Sequence, residues 1–380
     1  METRTHLNES DFPFAESTRQ PSPGARYQPR HGLSIPSVTI LDSGGRVIEE
    51  QQRQVFRHNV QQGFGADIVF GGGTTGEWNR ITNIERQRLV WIEADEIARL
   101  NREVRPFGRQ PIEAWVGITS ETRAETLMNL ECAIDAGVDA VVVAPLSIHD
   151  LGDIISFFQR EVSDLFDRRG CWIPVFLYDN ADIAVDPRAS HIRTRNVKQL
   201  SRLPFISGVK VSASRRVLGN YTKGALHFKD KGKFGIYIGN AMLMFQTFRL
   251  DDGLVGRVRE YWNRYLLRNE LPIGVVSGPA NVLPREWQRA WRACYAGDDR
   301  LMPIYRLAFD QFNDACNFGV EKMTAALKYA LKLDSIIESD LVAEGTPTLT
   351  DDERRGFALR YAKLKKELAA ATNPIWLTRP

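Results

Sequence analysis

The chain has 380 residues, of which 43% are hydrophobic and 26% are charged, as in a globular protein with a sizeable core. A net charge of +3, without any run of five basic residues, argues against a nucleic-acid-binding protein. The 4 cysteines and 6 histidines are scattered, without the spacing of a disulfide framework or a metal site, so we expect no metal and no cofactor.

Residues 1–33 differ from the rest of the chain. They are polar and rich in Pro, Ser, Arg and Glu, which predicts a flexible N-terminal arm, with an arm that wraps a neighbouring subunit as the alternative. They lack the apolar core of a signal peptide, and no stretch of about 18 apolar residues occurs anywhere, so no membrane-spanning helix is expected. We therefore expect a cytoplasmic protein that does not contact membranes.

From residue 34 onward, short apolar segments alternate with helical patterns. Eight segments are rich in Val and Ile and mostly lack apolar/polar alternation, which is typical of parallel strands buried on both faces. The predicted strands are Ser37–Leu41, Ala66–Phe70, Ile112–Val116, Ala140–Ala144, Ile173–Tyr178, Ile206–Val211, Gly235–Ile238 and Ile273–Ser277. A doubly wound sheet and a closed barrel both fit, but eight units in about 250 residues favour a (β/α)8 TIM barrel over residues 34–296.

Helices are predicted between the strands and after the last one. Those between the strands are Glu49–Gln62, Asn83–Leu100, Glu121–Ala136, Leu151–Arg168, Pro187–Leu203, Ser214–Phe228 and Ala241–Leu250. Residues 251–272 interrupt the pattern as an insertion with a short helix of its own. The later helices are Pro284–Ala296, Leu301–Phe318, Val320–Leu333 and Thr350–Ala370. Residues 297–380 therefore predict a C-terminal helical appendage.

A glycine-rich loop, Gly71–Glu77 (GGGTTGE), directly follows the second predicted strand. In a barrel this loop lies on the active-site face, where glycines let the backbone approach a ligand. Its amides and the hydroxyls of Thr74 and Thr75 suit a carboxylate. A dinucleotide-binding turn also has this glycine spacing, but the next helix starts too late and no acidic strand end follows. An ordinary structural turn is the remaining alternative.

Lys210 lies near the end of an apolar strand in the segment FISGVKVSAS. A lysine in such a run is unusual because burial of its charge is costly. Desolvation lowers the pKa of an amine and makes it nucleophilic, and catalytic groups of barrels lie at strand ends. The alternative is a lysine that extends from the rim into solvent.

Tyr178 ends the strand that precedes that of Lys210. Adjacent strand ends bring the phenol near the amine, where it can shuttle protons during imine formation and C–C cleavage. The alternative is a rim tyrosine that packs on a helix.

These motifs, in this order, resemble the dihydrodipicolinate synthase / N-acetylneuraminate lyase family over about residues 34–335. The resemblance also includes the segment Gly274–Pro284 (GVVSGPANVLP). It implies a barrel with C-terminal helices, a homotetramer built as a dimer of dimers, and an imine between Lys210 and a 2-oxo acid. Tyr178 would be the general acid/base, with Thr75 in the proton relay. The implied substrate-binding residues are Thr74, Thr75, Gly239 and Val276.

The chain departs from the synthase pattern at three places. The arginine that holds the second substrate's carboxylate in those synthases falls at Ile183. The relay tyrosine from a neighbouring subunit is missing from the segment Ala144–Ser147, and the acidic residue often found after the lysine is Val211. Several polar residues suggest a polyol-binding site instead, with ordinary loop polarity as the alternative: Asp179, Asn180, Asp182 and Asn240.

The main prediction is a Schiff-base-forming lyase, aldolase or dehydratase that acts on pyruvate or a 2-oxo-3-deoxy sugar acid through Lys210. One alternative is a 4-hydroxy-tetrahydrodipicolinate (dihydrodipicolinate) synthase, against which Ile183 counts. Another is a non-catalytic barrel that only binds a 2-oxo acid. A nicotinamide-dependent oxidoreductase is disfavoured by the helix position after the glycine-rich loop.

Overall fold

The structure is a computed structural model, and it describes residues 27–104, 110–188, 191–225, 228, 233–248 and 271–371. Eight strands form a closed barrel in which β8 pairs in parallel with β1, as each strand does with the next. They are β1 Gly32–Pro36, β2 Ile68–Gly71, β3 Glu113–Gly117, β4 Ala140–Val143, β5 Val175–Asn180, β6 Ile206–Ser212, β7 Gly235–Ile238 and β8 Gly274–Val276. The predicted (β/α)8 TIM barrel is confirmed.

A helix follows every strand on the outside of the barrel. These helices are α1 Glu49–Val60, α2 Asn83–Val104, α3 Arg123–Ala136, α4 (contiguous segments Ile154–Ser156, Phe157–Val162 and Ser163–Arg169), α5 Thr194–Leu200, α6 Arg215–Gly224, α7 Met244–Thr247 and α8 Pro284–Ala296. Three more form the predicted C-terminal appendage: α9 Met302–Ala315, α10 Met323–Leu333 and α11 Asp351–Ala371. No helix in these parts of the chain combines the length and apolar character needed to cross a membrane.

The first predicted strand was wrong. Ser37–Leu41 lies beyond β1, and two of its amides donate to side chains: Val38 to Asn281 Oδ1 and Ile40 to Gln52 Oε1. Both segments are buried and apolar, so only pairing with β2 and β8 distinguishes the true strand. The barrel therefore begins at Gly32, and the predicted boundary at residue 34 falls inside β1.

The predicted helix Pro187–Leu203 is longer than the observed α5. Asp179 Oδ1 accepts a hydrogen bond from the Ile192 amide at 2.9 Å, and Oδ2 contacts His191 Nδ1 at 3.0 Å. These bonds hold residues 191 and 192 against the end of β5, so the helix starts only at Thr194. Residues 1–26 of the predicted arm, and residues 251–270 of the insertion with its helix, lie outside the described residues.

The side chains of the strands divide between the lumen of the barrel and the layer under the helices. On β5, Phe176 and Tyr178 belong to the lumen cluster, whereas Val175 and Leu177 pack under the helices. The same alternation on β6 leaves Gly208, Lys210 and Ser212 on the lumen face. The lumen is therefore the place where the predicted catalytic side chains meet.

Candidate active site

Lys210 lies on the lumen face near the C-terminal end of β6, and only 5% of it is exposed. Its Nζ lies 3.8 Å from the centroid of the Tyr178 ring and 5.0 Å from that of Phe70. Burial lowers the pKa of this amine, and attraction to Tyr178 offsets only part of the effect. The site therefore favours the neutral, nucleophilic form of the lysine more than water does.

Tyr178 stands beside Lys210 because the two residues pair directly in the register of β5 and β6. Its hydroxyl accepts a hydrogen bond from Asn180 Nδ2 at 3.0 Å and lies 3.2 Å from Ser212 Oγ and 3.4 Å from Thr74 Oγ1. Burial raises the pKa of the phenol, but the charge of Lys210 and these hydrogen bonds outweigh burial and lower it overall. A phenol in this environment can give up and recover a proton.

The glycine-rich loop brings Thr74 to the mouth of the lumen. Gly72 has a positive φ of 63°, and its carbonyl would lie 2.2 Å from a Cβ added to Gly117, so both positions exclude larger residues. The 3₁₀ turn Thr74–Gly76 then directs the Thr74 hydroxyl toward Tyr178. A Cβ added to Gly278 would contact Thr75 Oγ1 at 3.4 Å, so Thr75 borders the loop after β8.

Two further predicted residues lie at the lumen. Val276 is buried in the lumen cluster that contains Tyr178. The Gly239 amide donates to the Val211 carbonyl at 2.7 Å, and a Cβ on Gly239 would lie 2.2 Å from Ser212 Oγ. The structure therefore brings Lys210, Tyr178 and Thr74 together, with Gly239 beside the same strand end.

Ser212 was missed in the sequence analysis, and Asn180 was assigned a different role. Both contact the Tyr178 hydroxyl, and they pair with each other across β5 and β6. The alternation of side chains along a strand could have predicted these contacts. Asn180 lies two residues beyond Tyr178, and Ser212 lies two residues beyond Lys210, so each pair shares a face of its strand. Asn180 thus positions the phenol in this structure.

Asp179 does not reach the lumen. It is fully buried on the helix side of β5, where its carboxylate accepts hydrogen bonds from the Ile192 amide and the Tyr221 hydroxyl and contacts His191. Its predicted contact with a bound polyol is therefore wrong. Asp182 and Asn240 are exposed at the rim of the barrel.

The structure also shows where the residues that depart from the synthase pattern lie. Ile183 packs against the lumen cluster, and its carbonyl accepts a hydrogen bond from Ser147 Oγ at 2.7 Å. Val211 faces the helix layer.

Within the described residues no group of three or more His, Cys, Asp or Glu side chains converges as a metal site would.

No protein-family profile matches the chain. An uncharacterised DapA-like lyase of Halobacterium salinarum is 28% identical over 198 residues, which cover 52% of this chain and 58% of that protein. A 4-hydroxy-tetrahydrodipicolinate synthase of Thermus thermophilus is 25% identical over 344 residues, which cover 89% of this chain and 99% of the synthase.

The chain is similar to the dihydrodipicolinate synthases in sequence and in fold.

Solved structures of low sequence identity share the fold. The dihydrodipicolinate synthase of Bacteroides thetaiotaomicron has a TM-score of 0.69 at 20% identity, covering 89% of this chain and 99% of that one. YagE, a prophage protein of the dihydrodipicolinic acid synthase family from E. coli K12 solved in complex with pyruvate, has a TM-score of 0.67 at 18% identity. That comparison covers 88% of this chain and 98% of YagE.

Proposed function

We propose that the protein is a Schiff-base-forming lyase of the class I aldolase type, acting on pyruvate or a 2-oxo-3-deoxy sugar acid. The observation that carries this proposal is the buried Lys210 amine, 3.8 Å from the Tyr178 ring centroid at the C-terminal end of a barrel. Active sites of TIM-barrel enzymes lie at this end. Names of relatives support the reaction class, and the pyruvate complex of YagE supports the substrate class.

The proposed reaction begins with the neutral Lys210 amine. Its lone pair attacks the keto carbon of the 2-oxo acid, and loss of water gives an iminium ion that withdraws electrons from the neighbouring C–C bond. Tyr178 supplies and removes the protons of these steps, since its hydroxyl lies among three polar side chains. The hydroxyls of Thr74 and Thr75 bind the substrate carboxylate.

The second half of the substrate differs from that of a dihydrodipicolinate synthase in this proposal. Ile183 packs on the lumen cluster where the resemblance expects a carboxylate-binding arginine, and an alkyl chain offers no hydrogen bond to a carboxylate. The synthase activity therefore remains an alternative, to be tested by adding aspartate semialdehyde and pyruvate. Wild-type turnover comparable to a known synthase would favour that alternative.

We propose a cytoplasmic homotetramer, arranged as a dimer of dimers, that uses neither a metal nor an organic cofactor. Mass photometry or light scattering after size-exclusion chromatography measures the assembly. A stable monomer would remove the tetramer from the proposal without affecting the chemistry of Lys210.

Borohydride trapping with pyruvate tests the central chemistry. Reduction of the iminium ion fixes pyruvate to the nitrogen of the lysine, which intact mass and peptide mapping detect. We expect one adduct, at Lys210, that is absent from a folded Lys210→Met variant. Equal labelling of wild type and variant, or no labelling beside a positive-control lyase, contradicts the mechanism. Saturable pyruvate binding without an adduct would favour a barrel that only binds a 2-oxo acid.

A further inference from the structure

Within the described residues, no second tyrosine lies at the Tyr178 hydroxyl to pass its protons to solvent. In the synthases that the chain resembles, a neighbouring-subunit tyrosine after the fourth strand takes part in the relay, but here that segment reads Ala144–Ser147. Ser147 does not replace it, because its hydroxyl donates to the Ile183 carbonyl at 2.7 Å. Only 6% of Tyr178 is exposed, so another group must connect its hydroxyl to water.

Among the described residues, three side chains besides Lys210 contact the Tyr178 hydroxyl, and they differ in what they can do with a proton. Asn180 approaches with its Nδ2 at 3.0 Å, and an amide donor cannot accept a proton from the phenol. Thr74 lies at 3.4 Å, and its hydroxyl binds the substrate carboxylate in the proposed function. Ser212 Oγ lies at 3.2 Å and can both donate and accept.

We infer that Ser212 carries protons between Tyr178 and solvent, so that the relay is completed within one chain. This inference rests on the proposed function. Ser212 is only partly buried, unlike Tyr178, and it lies two residues beyond Lys210 on the lumen face. It therefore acts on the reaction through Tyr178 rather than by contact with the reacting atoms.

Gly239, which directly follows the neighbouring strand β7, supports this assignment. A Cβ at this position would lie 2.2 Å from Ser212 Oγ and 2.9 Å from both the Cα and the nitrogen of Ser212. Any larger residue would displace the backbone of Ser212 as well as its hydroxyl. The absence of a side chain at Gly239 thus leaves Ser212 in hydrogen-bonding range of Tyr178.

The relay operates in the step that converts the pyruvate iminium ion to an enamine. The deprotonated Tyr178 takes a proton from the methyl carbon, the C–H electron pair forms the new C=C bond, and the C=N⁺ pair moves onto nitrogen. Tyr178 then gives a proton to Ser212 Oγ while the Ser212 proton passes to water. When the enamine is converted back to the iminium ion in D₂O, deuterium enters the methyl group. The exchange rate therefore reports the relay and requires no aldehyde substrate.

The test measures deuterium incorporation into the pyruvate methyl group by NMR, with borohydride trapping on the same samples. We expect Ser212→Ala to slow exchange by about 100-fold, while Lys210 is still labelled to the wild-type extent. Ser212→Thr keeps a hydroxyl and should retain exchange. Ser214→Ala is the matched control, since Ser214 is exposed and its side chain does not cap α6.

A second readout separates proton transfer from a merely structural role. Small proton carriers such as formate or imidazole should accelerate exchange in Ser212→Ala with increasing buffer concentration, and have little effect on wild type. Exchange in Ser212→Ala within about twofold of wild type, with normal labelling of Lys210, overturns the relay alone. Absence of any Lys210 adduct in wild type overturns the proposed function, and the relay with it.

Discussion

At the scale of single residues, the position of Lys210 determines both its chemistry and its cost to stability. The same side chain on the outer surface of the barrel would be a solvated cation. In the lumen it is 5% exposed and contacts two aromatic rings, and burial depresses its pKa. An unfolded chain returns this lysine to its ordinary pKa of about 10.4.

Replacing Lys210 by Met should therefore stabilise the protein while abolishing adduct formation. Between the depressed pKa and about 10.4 the unfolded state binds more protons, so wild-type stability rises with pH there. The gain from Lys210→Met, about 1 kcal/mol, should be largest below the depressed pKa of Lys210 and shrink toward about pH 10. Denaturant titrations of both proteins across pH measure it. A variant less stable than wild type at pH 7 would contradict the expectation.

Asn180 is one of the groups that lower the pKa of Tyr178, after the charge of Lys210 and the hydroxyls of Ser212 and Thr74. Asn180→Leu keeps the volume of the side chain but removes the hydrogen bond that Nδ2 donates at 3.0 Å to the Tyr178 hydroxyl. The pKa of Tyr178 should rise, and the deuterium exchange rate at pH 7 should fall by about tenfold. The rising limb of the pH–rate profile should move to higher pH. If the exchange rate instead falls equally at all pH values, Asn180 acts only through packing.

At the scale of elements, a buried ion pair joins the glycine-rich loop to the C-terminal appendage. Glu77 has a left-handed backbone, with φ of 58°, and is 3% exposed. Its Oε2 lies 2.5 Å from Lys328 Nζ on α10, and its Oε1 accepts a hydrogen bond from the Ala343 amide at 2.8 Å. Lys328 also donates to the Leu341 carbonyl at 2.8 Å. The appendage thus fixes the end of the loop that carries Thr74.

Lys328→Met should destabilise the protein by about 3–5 kcal/mol, because it leaves the Glu77 charge buried without its cationic partner. Combining it with Glu77→Gln should recover part of the loss. Lys332→Met on the same helix is the matched control, since Lys332 pairs with Asp340 near the surface and should cost about 1 kcal/mol or less. Chemical denaturation compares the four proteins. Equal losses for the two single lysine variants would exclude a special role for the buried pair.

At the scale of the whole molecule, the two ends of the lumen differ. The C-terminal end holds Lys210, whereas aromatic side chains fill the other end, where Trp115 stacks on Phe176 with ring centroids 4.0 Å apart. Glu113 lies there and accepts hydrogen bonds from the Tyr27 hydroxyl and Trp115 Nε1, each at 2.7 Å. Burial, and secondly the charge of Asp139, raise the pKa of Glu113 to about 7.

Glu113 should make the protein less stable as the pH rises. Because its pKa is higher in the folded than in the unfolded state, the folded state binds more protons between about pH 4.3 and 7, and stability falls over that interval. Glu113→Gln should remove this decline and be more stable than wild type at pH 8 by about 1–3 kcal/mol. Thermal melts of both proteins at pH 5 and pH 8 give the comparison. Parallel pH dependences would show that Glu113 is not protonated in the folded state.

The sequence by itself determined the βα repeat and pointed to Lys210 and Tyr178 as the proposed catalytic pair. Buried Val- and Ile-rich segments separated by helical patterns are strong local signals, and seven of the eight predicted strands overlap observed ones. Lys210 and Tyr178 were recognisable because an amine and a phenol are unusual at the ends of strands that are otherwise apolar.

Only the tertiary structure decided which neighbours these residues have. Ser37–Leu41 and β1 are equally apolar, and pairing with β8 selects β1. The face of β5 that turns outward places Asp179 among the helices, and the register of β5 with β6 brings Asn180 and Ser212 to the Tyr178 hydroxyl. The pairing of Glu77 with Lys328 joins residues 251 positions apart, which no local pattern encodes. Hydrophobic periodicity specifies elements, whereas strand register and packing specify contacts.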